Sequence, residues 1–300
     1  MESPKIEFYK LRDFGSKLSA VVDFLRENFK GLFICLLLIG GPAALLLSLV
    51  FRNLMSNAFQ YGLESGQSGN GIGDMATFFA VMGGNYILVA LASWLTISLI
   101  VCVTYTYIKL YNEGVAHEKS VGDIFRQSLS KYGGILALSV LIVVVSMVGF
   151  FVFIIPGIYL IIALSIAYPI YVFEEVSIGT AFSRAFTLIK GKWWSTFGVI
   201  FVTGIMASVA QMVFSVPFIV VYFIEIFSMV EDMQNNPGDP SAALNMFTSG
   251  YMAVALTIYM IGAYITRCIP LIGLGYQYSN LVERNEGRGL MGEIESFDSE

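Results

Sequence analysis

Between Gly133 and Phe173 the chain runs for 41 residues without Asp, Glu, Lys or Arg. A helix crossing a bilayer needs roughly 20 mostly apolar residues at about 1.5 Å rise each. The run is therefore too long for one span and the right length for two. A water-soluble fold cannot cover such a segment, because its surface must carry charge. The rest of the chain has the same character: of 300 residues, 56% are hydrophobic and 13% charged, against about 25% charged in an ordinary soluble domain. This composition excludes a cytosolic enzyme, a nucleic-acid binder, a disordered chain and a disulfide-built secreted domain. It leaves an all-α polytopic membrane protein.

Six spans are read from the apolar runs: residues 32–51, 85–108, 134–154, 157–173, 195–216 and 250–278. Pro156-Gly157 separates the third from the fourth, where a Pro opens a helix and a Gly sits in the turn. The fifth run continues past Pro217 through residues 216–230, a segment that carries Glu225. From Ser195 to Val230 is roughly 54 Å of helix, more than a bilayer holds, so part of it must kink, lie in the interface or project outward. Residues 1–284 are read as one membrane domain and residues 285–300 as an acidic, partly disordered tail. Met1–Lys30 is charged and lacks an early apolar core, so a cleavable signal is not expected and Leu32–Phe51 is the inserting anchor. Fifteen of the 17 Lys and Arg fall on one side of this arrangement; Arg52 lies opposite and Arg267 within the sixth span. The positive-inside rule then places both termini in the cytoplasm.

Three of the segments assigned to the cytoplasm share a register. With Gly15, Gly122 and Gly179 as origins, Asp13, Ser120 and Ser177 stand two residues before as N-caps, and Phe14, Val121 and Ile178 one residue before. Leu18, Phe125 and Phe182 follow three residues after the Gly; Val22, Leu129 and Phe186 seven after; Leu25, Tyr132 and Ile189 ten after. That spacing forms one stripe on a helix. Each stretch carries basic residues off the stripe and leads into a pair of spans. The expected architecture is a six-helix bundle built from three repeats, each an interfacial amphipathic helix followed by a transmembrane hairpin.

The stretch from Ala181 to Trp194, with Phe182, Arg184, Phe186, Lys190, Gly191, Lys192 and Trp193 in it, follows Pro156-Gly157-Ile158-Tyr159-Leu160, Pro169 and Glu174. Over about residues 156–195 the chain resembles the glycerophosphodiester phosphodiesterase membrane-domain family and related bacterial polytopic membrane proteins. The resemblance implies a multi-pass domain of a bacterial cytoplasmic (inner) membrane. The soluble phosphodiesterase barrel sometimes fused to that domain has no counterpart in these 300 residues, so the activity does not carry over. Read as physical chemistry, Arg184, Lys190 and Lys192 are candidates to face lipid phosphates, with Trp193 and Trp194 as an anchor at headgroup depth.

No catalytic constellation emerges. His117 is the single histidine and falls in a polar connection; Cys35, Cys102 and Cys268 lie in three different spans without metal-ligand spacing and read as small packing residues. Gly66, Gly69, Gly71 and Gly73 belong to a Ser/Asn/Gly-rich stretch read as an external loop (Ser65–Gly73). Glu174-Glu175 could do acid/base work, but a helix N-terminus also favours acids. No cofactor or metal is expected. Arg267, deep in the last apolar run and three residues before Pro270, is costly in lipid and marks an intramembrane polar site, with Glu225 as its candidate acidic partner; the alternative is that Arg267 snorkels to the interface. Two functions follow. One is a non-enzymatic scaffold or lipid-interacting factor whose partners are membrane lipids with anionic headgroups. The other is a transporter or permease for a small or amphiphilic solute, with Arg267 lining the path.

Overall fold

A computed structural model of the chain describes residues 6–68, 71–236, 249–289 and 291. Helix is the only regular structure among them: α1 (Phe14–Ser68), α2 (Gly71–Asn112), α3 (Val121–Val152), α4 (Ile154–Ser165), α5 (Ala167–Glu174), α6 (Ile178–Ile189), α7 (Trp193–Asn235), α8 (Gly250–Thr266) and α9 (Cys268–Glu286). Six segments are long and apolar enough to cross a membrane: Phe14–Gly62, Tyr86–Asn112, Val121–Val152, Ile154–Glu174, Trp193–Asn235 and Gly250–Glu286. Each overlaps one of the six runs read from the sequence, the second segment starting one residue later than its run and the third ending two residues earlier.

Two of these segments are helix pairs broken at one residue, and proline explains both breaks. Pro169 and Pro270 lack the N–H that would bond the carbonyls of Ser165 and Thr266, and their rings crowd those same carbonyls. The interruptions fall at Ile166 and Arg267, just past those carbonyls. Pro42 and Pro217, by contrast, lie inside α1 and α7, which continue through them. The sequence after Pro217 therefore does not turn away; it extends one 43-residue helix.

Three boundaries differ from the sequence reading. The α3–α4 turn is Phe153 alone, in extended conformation, and Pro156-Gly157 lies within the first turn or so of α4. Gly157 serves close approach instead: a Cβ there would lie 2.4 Å from the Phe150 ring, and one on Gly149 would lie 3.1 Å from Gly157 Cα. At this turn Phe153 N–H donates to Gly149 O and Gly157 N–H to Phe153 O. The expected loop at Ser65–Gly73 is helical where it is described: α1 runs to Ser68 and α2 opens at Gly71. Extending an established helix adds a hydrogen bond per residue, which outweighs the roughly 1 kcal/mol disfavour of a glycine. Of the acidic tail, residues 290 and 292–300 lie outside the described residues, while Asn285 and Glu286 end α9, capped by Gly287 at φ 63°.

The chain divides into two compact units. The first comprises Met1–Leu38, Ser98–Ser208 and Arg267–Glu300. Here α3 packs along α4, and α6 lies against α4, α5 and α9. Ile162, Ala163 and Ile189 form a core closed by Phe186, Trp193, Phe197 and Ile200. The second unit comprises Ile39–Ile97 and Val209–Thr266. Its helices are tied by a hydrogen bond between the Ser48 and Thr257 hydroxyls at 2.7 Å and by Gln211 Nε2 donating to Tyr259 O at 3.1 Å. Gly262 admits the Phe214 side chain, which a Cβ there would meet at 2.2 Å.

Candidate functional site

The first unit gathers at one polar end the segments that the sequence assigns to the cytoplasm. All three expected N-caps are formed. Asp13 Oδ1 accepts from Ser16 N–H at 2.7 Å, Ser120 Oγ from Asp123 N–H at 3.2 Å, and Ser177 Oγ from Thr180 N–H at 3.2 Å. The helices that follow begin at Phe14, Val121 and Ile178. In the first two, the amphipathic stretch runs unbroken into the long helix; only α6 is a separate helix. The buried face also differs from the apolar stripe by one position. Two residues after each origin glycine lie Lys17, Ile124 and Ala181, and six after lie Val21, Ser128 and Ala185, all buried. The stripe beside it, including Phe125 and Leu129, is half-buried or exposed, except for Ile189.

Chain ends and connections are then knotted together. Phe8 is buried against Phe173 and Tyr276, and Phe173 stacks on Tyr278 at 5.5 Å. Arg12 lies over the Tyr276 ring and Arg288 over that of Tyr9. Asn280 Nδ2 donates to Arg12 O at 2.9 Å, and Ile6 N–H to the Tyr111 hydroxyl, which itself donates to Glu27. Beneath this layer Glu174, whose side chain is 7% exposed, meets Arg184 Nε at 2.5 Å and accepts from the Tyr278 hydroxyl at 2.8 Å. Arg184 also pairs with Glu286, and Arg288 reaches both Glu286 and Glu174. Two acids and two guanidinium groups balance.

The two adjacent acids do not act together. Glu175 has φ 53°, in the left-handed region that non-glycine residues rarely adopt. That turn sends its carboxylate to Lys109 and Lys131, at 2.8 and 3.0 Å, while Glu174 goes to Arg184. Hydrogen bonds from Lys109 and then Lys131 hold the Glu175 carboxyl down at about 2.

The remaining sequence candidates separate. Arg184, a candidate for lipid phosphate, donates its charge to two carboxylates of the chain. Lys190 and Lys192 flank Gly191 in a turn between α6 and α7: Lys190 has φ −53° and ψ 124°, Gly191 has φ 71°, and Lys192 N–H donates to Ile189 O at 2.8 Å. These are type II turn values, and the positive φ calls for glycine. Lys190 is exposed and Lys192 half-buried. Trp193 is pinned, stacked on Tyr159 and donating from Nε1 to Tyr159 O at 3.1 Å, whereas Trp194 is 76% exposed. Glu225, in the second unit, accepts from the Ser249 hydroxyl. Arg267, in the first, is exposed at the break before α9. No ion pair among the described residues includes either. His117 is exposed in the α2–α3 connection, and Cys35, Cys102 and Cys268 are buried free thiols. No group of three His, Cys, Asp or Glu suited to a metal ion occurs among the described residues.

Sequence reading missed Lys17. It is 4% exposed, and its Nζ donates to Gln277 Oε1 at 2.7 Å and Ser195 Oγ at 3.1 Å. Gln277 in turn donates from Nε2 to the Thr196 hydroxyl at 3.0 Å. Its register with Ile124 and Ala181 was the available signal: a cation where the repeat carries apolar residues.

Comparison with known proteins gives no match: no family model, no curated protein and no solved structure aligns with the chain.

Proposed function

We propose that the chain is a non-enzymatic, lipid-interacting protein of a bacterial inner membrane, with both termini cytoplasmic and its polar end in contact with anionic headgroups. The carrying observation is the α6–α7 turn. It presents Lys190, Lys192 and, at the start of α7, a 76% exposed Trp194, directly after α6, whose Ala181, Ala185 and Leu188 are buried. Basic residues near an anionic leaflet contribute roughly 1 kcal/mol each, and indole rings prefer headgroup depth. On this reading the three capped helices are repeats whose outward apolar stripes rest on lipid, and the resemblance of residues 156–195 to glycerophosphodiester phosphodiesterase membrane domains reflects a shared membrane module without the enzyme. The test is the lipid retained by the purified full chain, counted by native mass spectrometry after extraction from mixed phosphatidylglycerol and phosphatidylcholine. Enrichment in phosphatidylglycerol that falls in the Lys190→Gln/Trp194→Ala variant supports the reading; equal retention of the two lipids refutes it.

A second reading, a transporter, is favoured by the helix break at Arg267, because interrupted helices form the substrate sites of some transporter folds. Rapid labelling of a lone cysteine at position 271 by a hydrophilic thiol reagent, in a chain freed of Cys35, Cys102 and Cys268, would favour it over the first. Protection would remove its support.

A further inference from the structure

Within the second unit a cavity of about 110 Å³, open on one side, lies between α1, α7 and α8, and all its lining residues belong to that unit. Its surface is almost wholly apolar. Met252 and Leu256, both buried, line it from one face of α8. Phe218 and Tyr222, one turn apart on α7 and stacked with ring centroids 6.1 Å apart, add aromatic surface. On α1, Phe51 and Met55 continue the apolar lining. Water does not suit such a space, because each molecule needs about two to four polar partners. A void left empty forfeits the dispersion contacts of its lining. The volume suits a small apolar group: an engineered apolar cavity of roughly 150 Å³ takes up benzene or xenon.

Arg52 is the one charged residue among the described residues that line this cavity, and the one Lys or Arg in the whole sequence of the second unit. It directly follows the charge-free run Leu32–Phe51. A run of that length spans roughly the 30 Å of a bilayer's hydrocarbon, so Arg52 falls at headgroup depth. Because the cavity wall is apolar, Arg52 contributes its methylene stem and carries its charge beyond the wall, as long cationic side chains do at interfaces. We propose that the cavity holds a segment of one acyl chain of an anionic bilayer lipid, with Arg52 at the headgroup phosphate. The apolar lining selects the chain and the guanidinium selects the head. Five N–H donors in a fixed fork match phosphate oxygens, and a protein acceptor that takes up two of them leaves others for the lipid. A choline head offers the same phosphate with a cation beside it, which Arg52 repels. The inference goes beyond the lipid-interacting reading above, which rests on the α6–α7 turn; the two sites share no residue.

The experiment is photo-labelling of the full chain in phosphatidylcholine nanodiscs, with adducts located by peptide mass spectrometry. The two probes are phosphatidylglycerol and phosphatidylcholine, each carrying a diazirine near the glycerol end of one acyl chain. In the wild type, adducts within residues 252–256 are expected to be on the order of ten-fold more abundant from phosphatidylglycerol. Adducts at Val213, 72% exposed on α7, report the outer surface of the same unit and are expected to be equal for the two probes in every variant. Arg52→Gln is expected to bring the ratio at residues 252–256 to about one, and Arg52→Lys, which keeps the charge, to retain a preference for phosphatidylglycerol. Ala253→Met, which fills the cavity with a flexible apolar side chain, is expected to remove the adducts of both probes there. The proposal is overturned if the wild type labels residues 252–256 equally with the two probes. It is also overturned if the preference survives Arg52→Gln, or if labelling survives Ala253→Met. Lys190→Gln/Trp194→Ala is expected to label residues 252–256 as the wild type does, so failure at the α6–α7 turn and failure at this cavity are read separately.

Discussion

Glu174 and Arg184 show how a residue's role depends on what it meets. By type and position Arg184 was available to lipid phosphate; in the structure its guanidinium neutralises Glu174, which is only 7% exposed at the side chain. Removing one partner leaves the other charged and poorly hydrated, whereas removing both leaves nothing uncompensated. Arg184→Met is expected to destabilise the chain by about 3 kcal/mol, and the double variant Arg184→Met/Glu174→Gln to recover most of that loss, read by reversible unfolding in mixed micelles. Additive losses would mean that the pair carries no coupling. Glu175 gives a pH signature. Its carboxyl titrates near 2 in the folded chain, below its ordinary value of 4.5. The stability it contributes is present above about pH 4.5 and is lost as pH falls from there toward 2. Glu175→Gln should flatten the decline of stability across that window; an unchanged profile would show that the Lys109 and Lys131 contacts do not hold the charge. Both carboxylates were visible in the sequence as a pair. Their separation was not, because it depends on one left-handed backbone residue, and no pattern of residue types announced that a glutamate would adopt it.

At the scale of helices, two glycines in one hairpin should respond oppositely to alanine. Gly157 touches the Phe150 ring, so a methyl group there overpacks the α3–α4 contact, at about 1–3 kcal/mol. Gly133, on α3, has open space around its Cβ position, and alanine there should stabilise by up to about 1 kcal/mol. A melting temperature raised by both, or lowered by both, would contradict the packing described. The elements themselves were largely legible. Apolar run length located all six long segments, and side-chain capping chemistry located the starts of α1, α3 and α6 within a residue. The break before α9 follows from Pro270, whose missing N–H takes a bond from a known carbonyl. What was not legible was which prolines would break a helix: Pro42 and Pro217 carry the same chemistry, and α1 and α7 run through them. Nor could periodicity separate the face that packs on protein from the face beside it, since both are apolar; the stripe at Phe125 and Leu129 was found, and the buried row one position earlier was not. The Gly157 case has the same origin, because a glycine that opens a turn and one that admits a neighbouring ring look alike in sequence.

For the molecule as a whole, the charge asymmetry that fixed the expected orientation has a structural counterpart. Residues 6–13, 109–131, 174–192 and 276–288, from separate parts of the chain, meet at one end of the first unit through ion pairs, aromatic contacts and hydrogen bonds. Nine of the twenty charged residues in those stretches pair with one another. Lys190 is among those left facing outward, beside the exposed Trp194 at the α6–α7 turn. On the proposed reading this end meets anionic headgroups. Quenching of tryptophan fluorescence by brominated lipids measures that contact, using the reconstituted full chain with Trp94→Phe so that Trp193 and Trp194 report alone. Brominated phosphatidylglycerol is expected to quench more than brominated phosphatidylcholine at equal mole fraction, with the difference shrinking in Lys190→Gln/Lys192→Gln. Equal quenching by the two lipids, unchanged in that variant, would contradict the account.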